Sequence, residues 1–256
     1  MGWGDELMAA GLAAHAVREA GPSAGRCAIL GVDGRRRQHD AWKDDPLVAK
    51  PGETAGVDIV NGPGARPYID RWDNAARRWH FRTDWRPYGF RPRLVLSQAE
   101  IAIGEELRAG GRYMTIEPNI NPINSPNKDW GFDRWQEVVN RLPGVRFVQC
   151  LGPDSRPLHG VHHLKTDDFR QAAGVVLRAA LHVGPEGGLH HAAAAFGTPA
   201  VIVFGGFVSP AVTGYPDHHN LGSGAACGKF DPCPECRAAL DGITPAQVAG
   251  LIERFR

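Results

Sequence analysis

Residues Leu181 to Gly206 read LHVGPEGGLHHAAAAFGTPAVIVFGG, and no other stretch limits the fold as tightly. A short apolar run, Leu181 to Val183, meets a glycine-rich turn at Gly184, Gly187 and Gly188. A small-residue helix is predicted from Leu189 to Phe196. After Gly197-Thr198-Pro199 a second strand runs from Ala200 to Phe204. A strand–turn–helix–strand unit belongs to an α/β protein with a parallel sheet. Glycines at a helix start leave unpaired backbone N–H groups at the positive end of the dipole, which suits a phosphate or pyrophosphate. The plainer alternative is a connecting turn. His190 and His191 are adjacent and cannot share a helix face, so at most one points at a ligand.

The second half continues this alternation. Strands are predicted at Tyr113–Ile116 and Val145–Cys150, and helices at Asp133–Leu142 and Asp168–Ala180. Trp135, Val138, Val139 and Leu142 give the first of these helices an apolar stripe, and Asp133 with Gln136 resembles a capping box. A last helix starts at Thr244, with Pro245 at its first position and Gln247 completing a box. In the first half, Asp5 can cap a helix over Glu6–Ala20, Arg26–Gly31 is a short strand, and a helix spans Gln98–Arg108. Residues 33–93 are poorly periodic, and only Val57–Val60 reads as a strand there. Gly110-Gly111 marks the boundary between residues 1–109 and 110–256.

With 256 residues, 43% of them hydrophobic, the chain can bury real cores. A net charge of +1 argues against nucleic acid as a bulk electrostatic partner. No apolar run approaches the ~20 residues that span a bilayer, which leaves peripheral contact as the expected relation to a membrane. The first residues carry acids rather than a basic region, and five cysteines, an odd number, fit a reducing cytoplasm.

The 181–206 segment resembles the donor-binding signature of glycosyltransferase family 9, the ADP-heptose:lipopolysaccharide heptosyltransferases. Glu186, Gly187, Gly188, Leu189, His190, His191, Ala193-Ala194, Phe196, Gly197 and Pro199 fill that pattern in register. Glu186 stands where the family mostly has Asp, and Gly187 where it has Ser or Thr. The resemblance implies a GT-B fold: two Rossmann-like halves, here with a reduced N-terminal half and a parallel sheet in the C-terminal half. It implies an inverting transfer of sugar from a nucleotide-diphosphate sugar to a hydroxyl of a glycan, glycolipid or other acceptor. Gly2-Trp3-Gly4-Asp5 resembles the family's Gly-x-Gly-Asp loop, which implies Asp5 as general base. Lys128 matches the family's lysine before an aromatic residue and a helix, and would neutralise the departing diphosphate. No metal is implied for the chemistry.

Other candidates come from the residues alone. Asn119, Asn121, Asn124 and Ser125 form a polar loop after a strand end, a place for phosphate or ribose contacts or simply a turn. Residues 66–93 interleave eight arginines with aromatics; Arg71, Arg78 and Trp79 are the acceptor-side candidates, and a solvated basic face is the alternative. Cys227, Cys233 and Cys236, with His219 or His218, have spacing that can hold a structural zinc or iron. Two other functions compete: a sugar-nucleotide 2-epimerase of the same fold, and a binding module without catalysis.

Overall fold

The computed structural model describes residues 2–120 and 126–256. The C-terminal half is built on six parallel strands: β5 (Met114–Ile116), β6 (Phe147–Leu151), β7 (His162–Lys165), β8 (His182–Pro185), β9 (Ala200–Val203) and β10 (His218–Leu221). Their order is β10-β9-β8-β5-β6-β7. The order reverses direction between β5 and β8, and ligands of open parallel sheets bind outside the strand ends at such a switch.

Strand alternation sorts the core into two layers. Val201 and Val203 face one way, with Phe147, Trp135 and Val138 of α3 (Phe132–Arg141) and Val248 and Ile252 of α8 (Pro245–Glu253). Ala200 and Ile202 face the other way, with Val176 of α4 (Phe169–Arg178) and Ala193 of α5 (Gly188–Phe196). The α8 start is as the sequence predicts: Thr244 Oγ1 accepts from the Gln247 N–H at 3.2 Å, and Gln247 Oε1 accepts from the Thr244 N–H at 2.8 Å. The box at Asp133 is not made. Gly131 precedes α3 instead, and Gln136 pairs with the backbone of His159 through both ends of its amide.

The N-terminal half is small. It holds α1 (Trp3–Ala20), a parallel pair β1 (Cys27–Leu30) and β2 (Val57–Val60), and an antiparallel hairpin β3 (Ile69–Asp73) and β4 (Arg78–Phe81). The hairpin lies inside the stretch that reads as irregular. Its β4 residues are all half-buried, so no alternation betrays it. Four short elements of the second half were also unexpected: β7, β10, α6 (Pro210–Thr213) and α7 (Pro234–Asp241).

Several contacts join the halves. Leu7, Ala9, Ala10 and Ala13 of α1 share one cluster with Ile29 of β1, Ala173 of α4 and Ala192 of α5. Helix α2 (Gln98–Ala109) packs on α4, across the divide expected at Gly110, and Ile103 and Leu107 join the core of the six-stranded sheet. Arg170 on α4, 1% exposed, bonds Glu100 at 2.6 Å, Asp44 at 2.7 Å and the carbonyls of Asp40 and Val95 at 2.8 Å. Burial works to raise the Glu100 carboxyl, but Arg170 and the N-cap of α2 hold it at about 2. A buried charge matched this fully fixes geometry, because losing one partner strands the other. No described helix is long and apolar enough to cross a membrane.

Candidate functional site

A cleft of about 720 Å³ opens between the halves, at the carboxyl ends of β5, β6 and β8. Helix α5 starts on its wall. A Cβ at Gly187 would meet nothing within 4 Å, so this backbone faces open space. Gly188 is different: a Cβ there would lie 2.7 Å from Phe169 and 3.1 Å from the Trp3 Cβ. Both glycines line the cleft; a side chain at Gly188 would strike Phe169 and Trp3, whereas Gly187 faces open space.

Glu186, at the end of β8 and 6% exposed, is held from two sides. Lys128 Nζ, in the 3-10 turn Pro126–Lys128, pairs with Glu186 Oε2. His191 Nε2 lies 3.4 Å from Oε1. Burial opposes the charge on Glu186, but Lys128 and His191 outweigh it and hold the carboxyl well below the usual range. His191 Nδ1 meets the Tyr215 hydroxyl at 2.6 Å. Burial and nearby Glu186 push the Tyr215 phenol up, so it stays protonated and donates; His191 Nε2–H then faces Glu186. Gly4 makes room for this ring, since a Cβ there would lie 2.4 Å from His191 Cδ2. The first turn of α1 thus packs on His191. Of the two histidines, His191 lines the cleft and His190 is turned into the core.

Asp5 reaches the same cleft from α1. It is not the N-cap: the helix starts at Trp3, and Asp5 Oδ2 accepts from the Gly2 N–H at 3.1 Å. Arg66 donates to Oδ2 at 3.1 Å, and the Tyr68 hydroxyl bonds Oδ1. Burial and the Asp5 charge raise the Tyr68 phenol well above its ordinary value, so it remains a donor. Arg66 and Tyr68 escaped the sequence analysis because nothing separates them there from the other arginines and aromatics of 66–93.

The remaining candidates divide. Trp79 lines the cleft, with its ring 5.6 Å beneath the Arg66 guanidinium. Arg71 is a correction: it is exposed and paired with Asp70 at 3.0 Å, away from the cleft. Arg78 is also absent from the lining and lies on β4 beside Lys229. Most of the basic stretch is spent on ion pairs or carbonyls: Arg82 on Asp70, Arg86 on Val212 and Gly214, Arg91 on Asp217, Arg93 on Asp45. Asn119 lines the cleft, but its amide is committed to Glu117 and to the backbone of Arg156. Ser125, Asn121 and Asn124 lie outside the described residues.

Cys227, Cys233 and Cys236 come together, their sulfurs within 4.8 Å of one another and Cys227 to Cys236 at 3.0 Å. Asn127, next to Lys128, fastens this loop: its amide donates to the carbonyls of Lys229 and Asp231 at 2.9 Å and accepts from the Cys233 N–H at 2.9 Å. His219 is a correction, since its ring packs on Phe255 at 5.7 Å. His218 points the opposite way, and its ring lies tilted at 5.2 Å from that of His190.

His182, His190 and His218 are all buried behind the site. Neither ring nitrogen of His190 or His218 has a hydrogen-bond partner among the described residues. Burial lowers His182 to about 3 and His218 to about 4, and pushes His190 down as well. Their unfolded values lie near 6.5, so the unfolded chain binds more protons as pH falls below that point. Stability is then full above ~6.5 and lost toward the folded values, at about 1.4 kcal/mol per pH unit per histidine. The melting temperature should fall by several degrees between about pH 7 and pH 5. An unchanged melting temperature across that window would show that the three rings are not held neutral.

No family model matches the chain, and no curated protein does. Solved structures do. The glycosyl transferase family 9 structure from Veillonella parvula DSM 2008 aligns with 100% of this chain and 94% of its own, at TM-score 0.64 and 13% identity. The ADP-heptose lps heptosyltransferase II of E. coli aligns with 67% of this chain at TM-score 0.50 and 18% identity. That alignment covers 55% of the E. coli protein, so the chain spans little more than half its length. The fold is the GT-B fold that these glycosyltransferase structures share.

Proposed function

We propose that this chain is an inverting glycosyltransferase that moves a sugar from a nucleotide-diphosphate donor to a hydroxyl of a glycan, glycolipid or other acceptor. One observation carries the proposal. A carboxylate from the N-terminal half, Asp5, shares a cleft with Lys128, Glu186, His191 and the open N-terminus of α5 from the other half. Residues 110–256 take the donor, and residues 1–109 take the acceptor, with α2 braced on the donor side. The diphosphate lies at Gly187, where N–H groups and the helix dipole meet it, and draws Lys128 from Glu186. Glu186 and His191 then orient the donor sugar. Asp5 accepts the proton of the acceptor hydroxyl as that oxygen attacks the anomeric carbon. The bond from that carbon to the diphosphate oxygen breaks, and Lys128 balances the charge that leaves. Trp79 offers the acceptor a stacking face. The chemistry needs no metal, and five unpaired cysteines suit a reducing cytoplasm.

The test is a panel of nucleoside diphosphates and their sugars, with ADP-heptose first because the E. coli relative uses it. Binding is measured by calorimetry, and turnover with and without acceptor. Conversion of donor alone would indicate an epimerase, and binding without any turnover a module that has lost catalysis. Failure of every nucleotide to bind overturns the reading.

The cysteine cluster is assigned a structural zinc or iron. Burial works against charge on Cys233, but the N–H groups of Cys236 and Glu235 outweigh it and lower the thiol. The Lys229 N–H reaches Cys227 Sγ at 3.4 Å. Burial raises the Cys227 and Cys236 thiols, so the three sulfurs would ionise together only around a bound cation. Elemental analysis of untagged protein should find about one zinc or iron per chain, and C236S should lose it and melt lower. Metal-free protein as stable as the metal-loaded form would end the assignment.

A further inference from the structure

Glu117 ends β5, the strand beside β8, and lines the cleft. Its N–H donates to the Val183 carbonyl at 2.8 Å, which places it level with Gly184 and two residues below Glu186 and the glycine step. Oε1 accepts twice from Asn119, from the backbone N–H at 2.7 Å and from Nδ2 at 2.8 Å. No described bond reaches Oε2. Among the described residues, no cation neutralises this carboxyl. From β6 it faces the Cys150 thiol, pushed up to about 12 by burial and by Glu117 itself. From β8 it faces His182, which is neutral and bonded to Thr115 at 3.0 Å. Asp167 and Asp168 beyond β7 line the same cleft and add only negative charge. Arg156 gives the neighbouring loop its backbone, while its guanidinium lies over Phe132 at 3.7 Å. At the mouth, Lys128 is already paired with Glu186.

We infer that Glu117 takes up a proton when the nucleoside diphosphate binds, and that its second oxygen then offers an O–H to the donor. This rests on the donor site assigned above. A carboxylate beneath a bound diphosphate is repelled by it in a cleft with little water, by roughly tenfold or more in proton affinity. Burial already holds the free carboxyl at about 7, so neutralising it near neutral pH is easy. The proton comes from solvent and stays on the carboxyl; no bond of the donor changes.

The probes are ADP, UDP and GDP, titrated by calorimetry near pH 7.5 in two buffers of different ionisation enthalpy. The wild-type protein should take up roughly half a proton more per bound nucleotide than E117Q, because a glutamine offers an N–H at any pH. Wild-type affinity should fall roughly tenfold between about pH 7 and 8.5, and that of E117Q should not. Equal proton uptake in the two proteins, with parallel pH profiles, overturns the inference and leaves the donor site standing. If E117Q does not fold, the wild-type profile decides alone, and a flat one overturns it. If none of the three nucleotides binds, the donor site itself fails and this inference with it.

Discussion

Asp5→Asn should lower turnover by roughly 10²-fold or more and leave donor affinity within about twofold. The two effects separate because Asp5 stands on the acceptor side. It touches Gly2, Arg66 and Tyr68, and none of these belongs to the diphosphate site. An asparagine keeps the shape and can still accept from one of its neighbours, but it cannot take a proton from a hydroxyl. Arg66 and Tyr68 fix Asp5 through its two carboxylate oxygens. Tyr68→Phe should loosen the carboxylate and lower turnover several-fold, with donor affinity within about twofold of the wild type. Melting temperatures of both variants control for folding. Near-normal turnover in Asp5→Asn with an identified acceptor would remove Asp5 from catalysis.

The C-terminal half is legible in the sequence because strong local signals agree there. Apolar runs, the glycine turn and the helix caps place the strands and helices between Tyr113 and Phe204 to within a few residues, except β7, a largely exposed edge strand with no apolar run. The family signature adds Glu186, His191 and Lys128 as parts of one donor site, and the three side chains do meet in the cleft. The N-terminal half is harder for a physical reason. Strand β4 of its hairpin is half-buried on both faces, so period and burial do not match. The arginines of 66–93 look alike in sequence, and only the tertiary contacts set Arg66, against Asp5, apart from Arg71, on a surface aspartate. Glu117 is invisible for a related reason. A single acid at a strand end has no pattern, and its character comes from the cations it lacks. His219 is misplaced by the sequence because neighbours on a strand face opposite ways, and a spacing rule for ligands does not record the face.

Lys128→Ala should weaken donor binding by roughly 10- to 100-fold and lower turnover by at least as much, because its charge meets the diphosphate in both ground state and transition state. The change also strands Glu186. With Lys128 gone, burial dominates and the Glu186 carboxyl rises from its depressed value, so the variant should lose stability with increasing pH relative to the wild type. Glu186→Gln is the informative partner. It frees Lys128 from its ion pair, so nucleoside diphosphate should bind as tightly as in the wild type or more so. Turnover should still fall, since the sugar loses a carboxylate acceptor. The two variants must therefore move diphosphate affinity in different directions. Lys128→Arg should recover part of the affinity, and the salt dependence of binding should be weaker in Lys128→Ala than in the other proteins. If Lys128→Ala bound diphosphate as well as the wild type, the lysine would serve only to neutralise Glu186. The phosphates would then rest on the N–H groups at Gly187 alone.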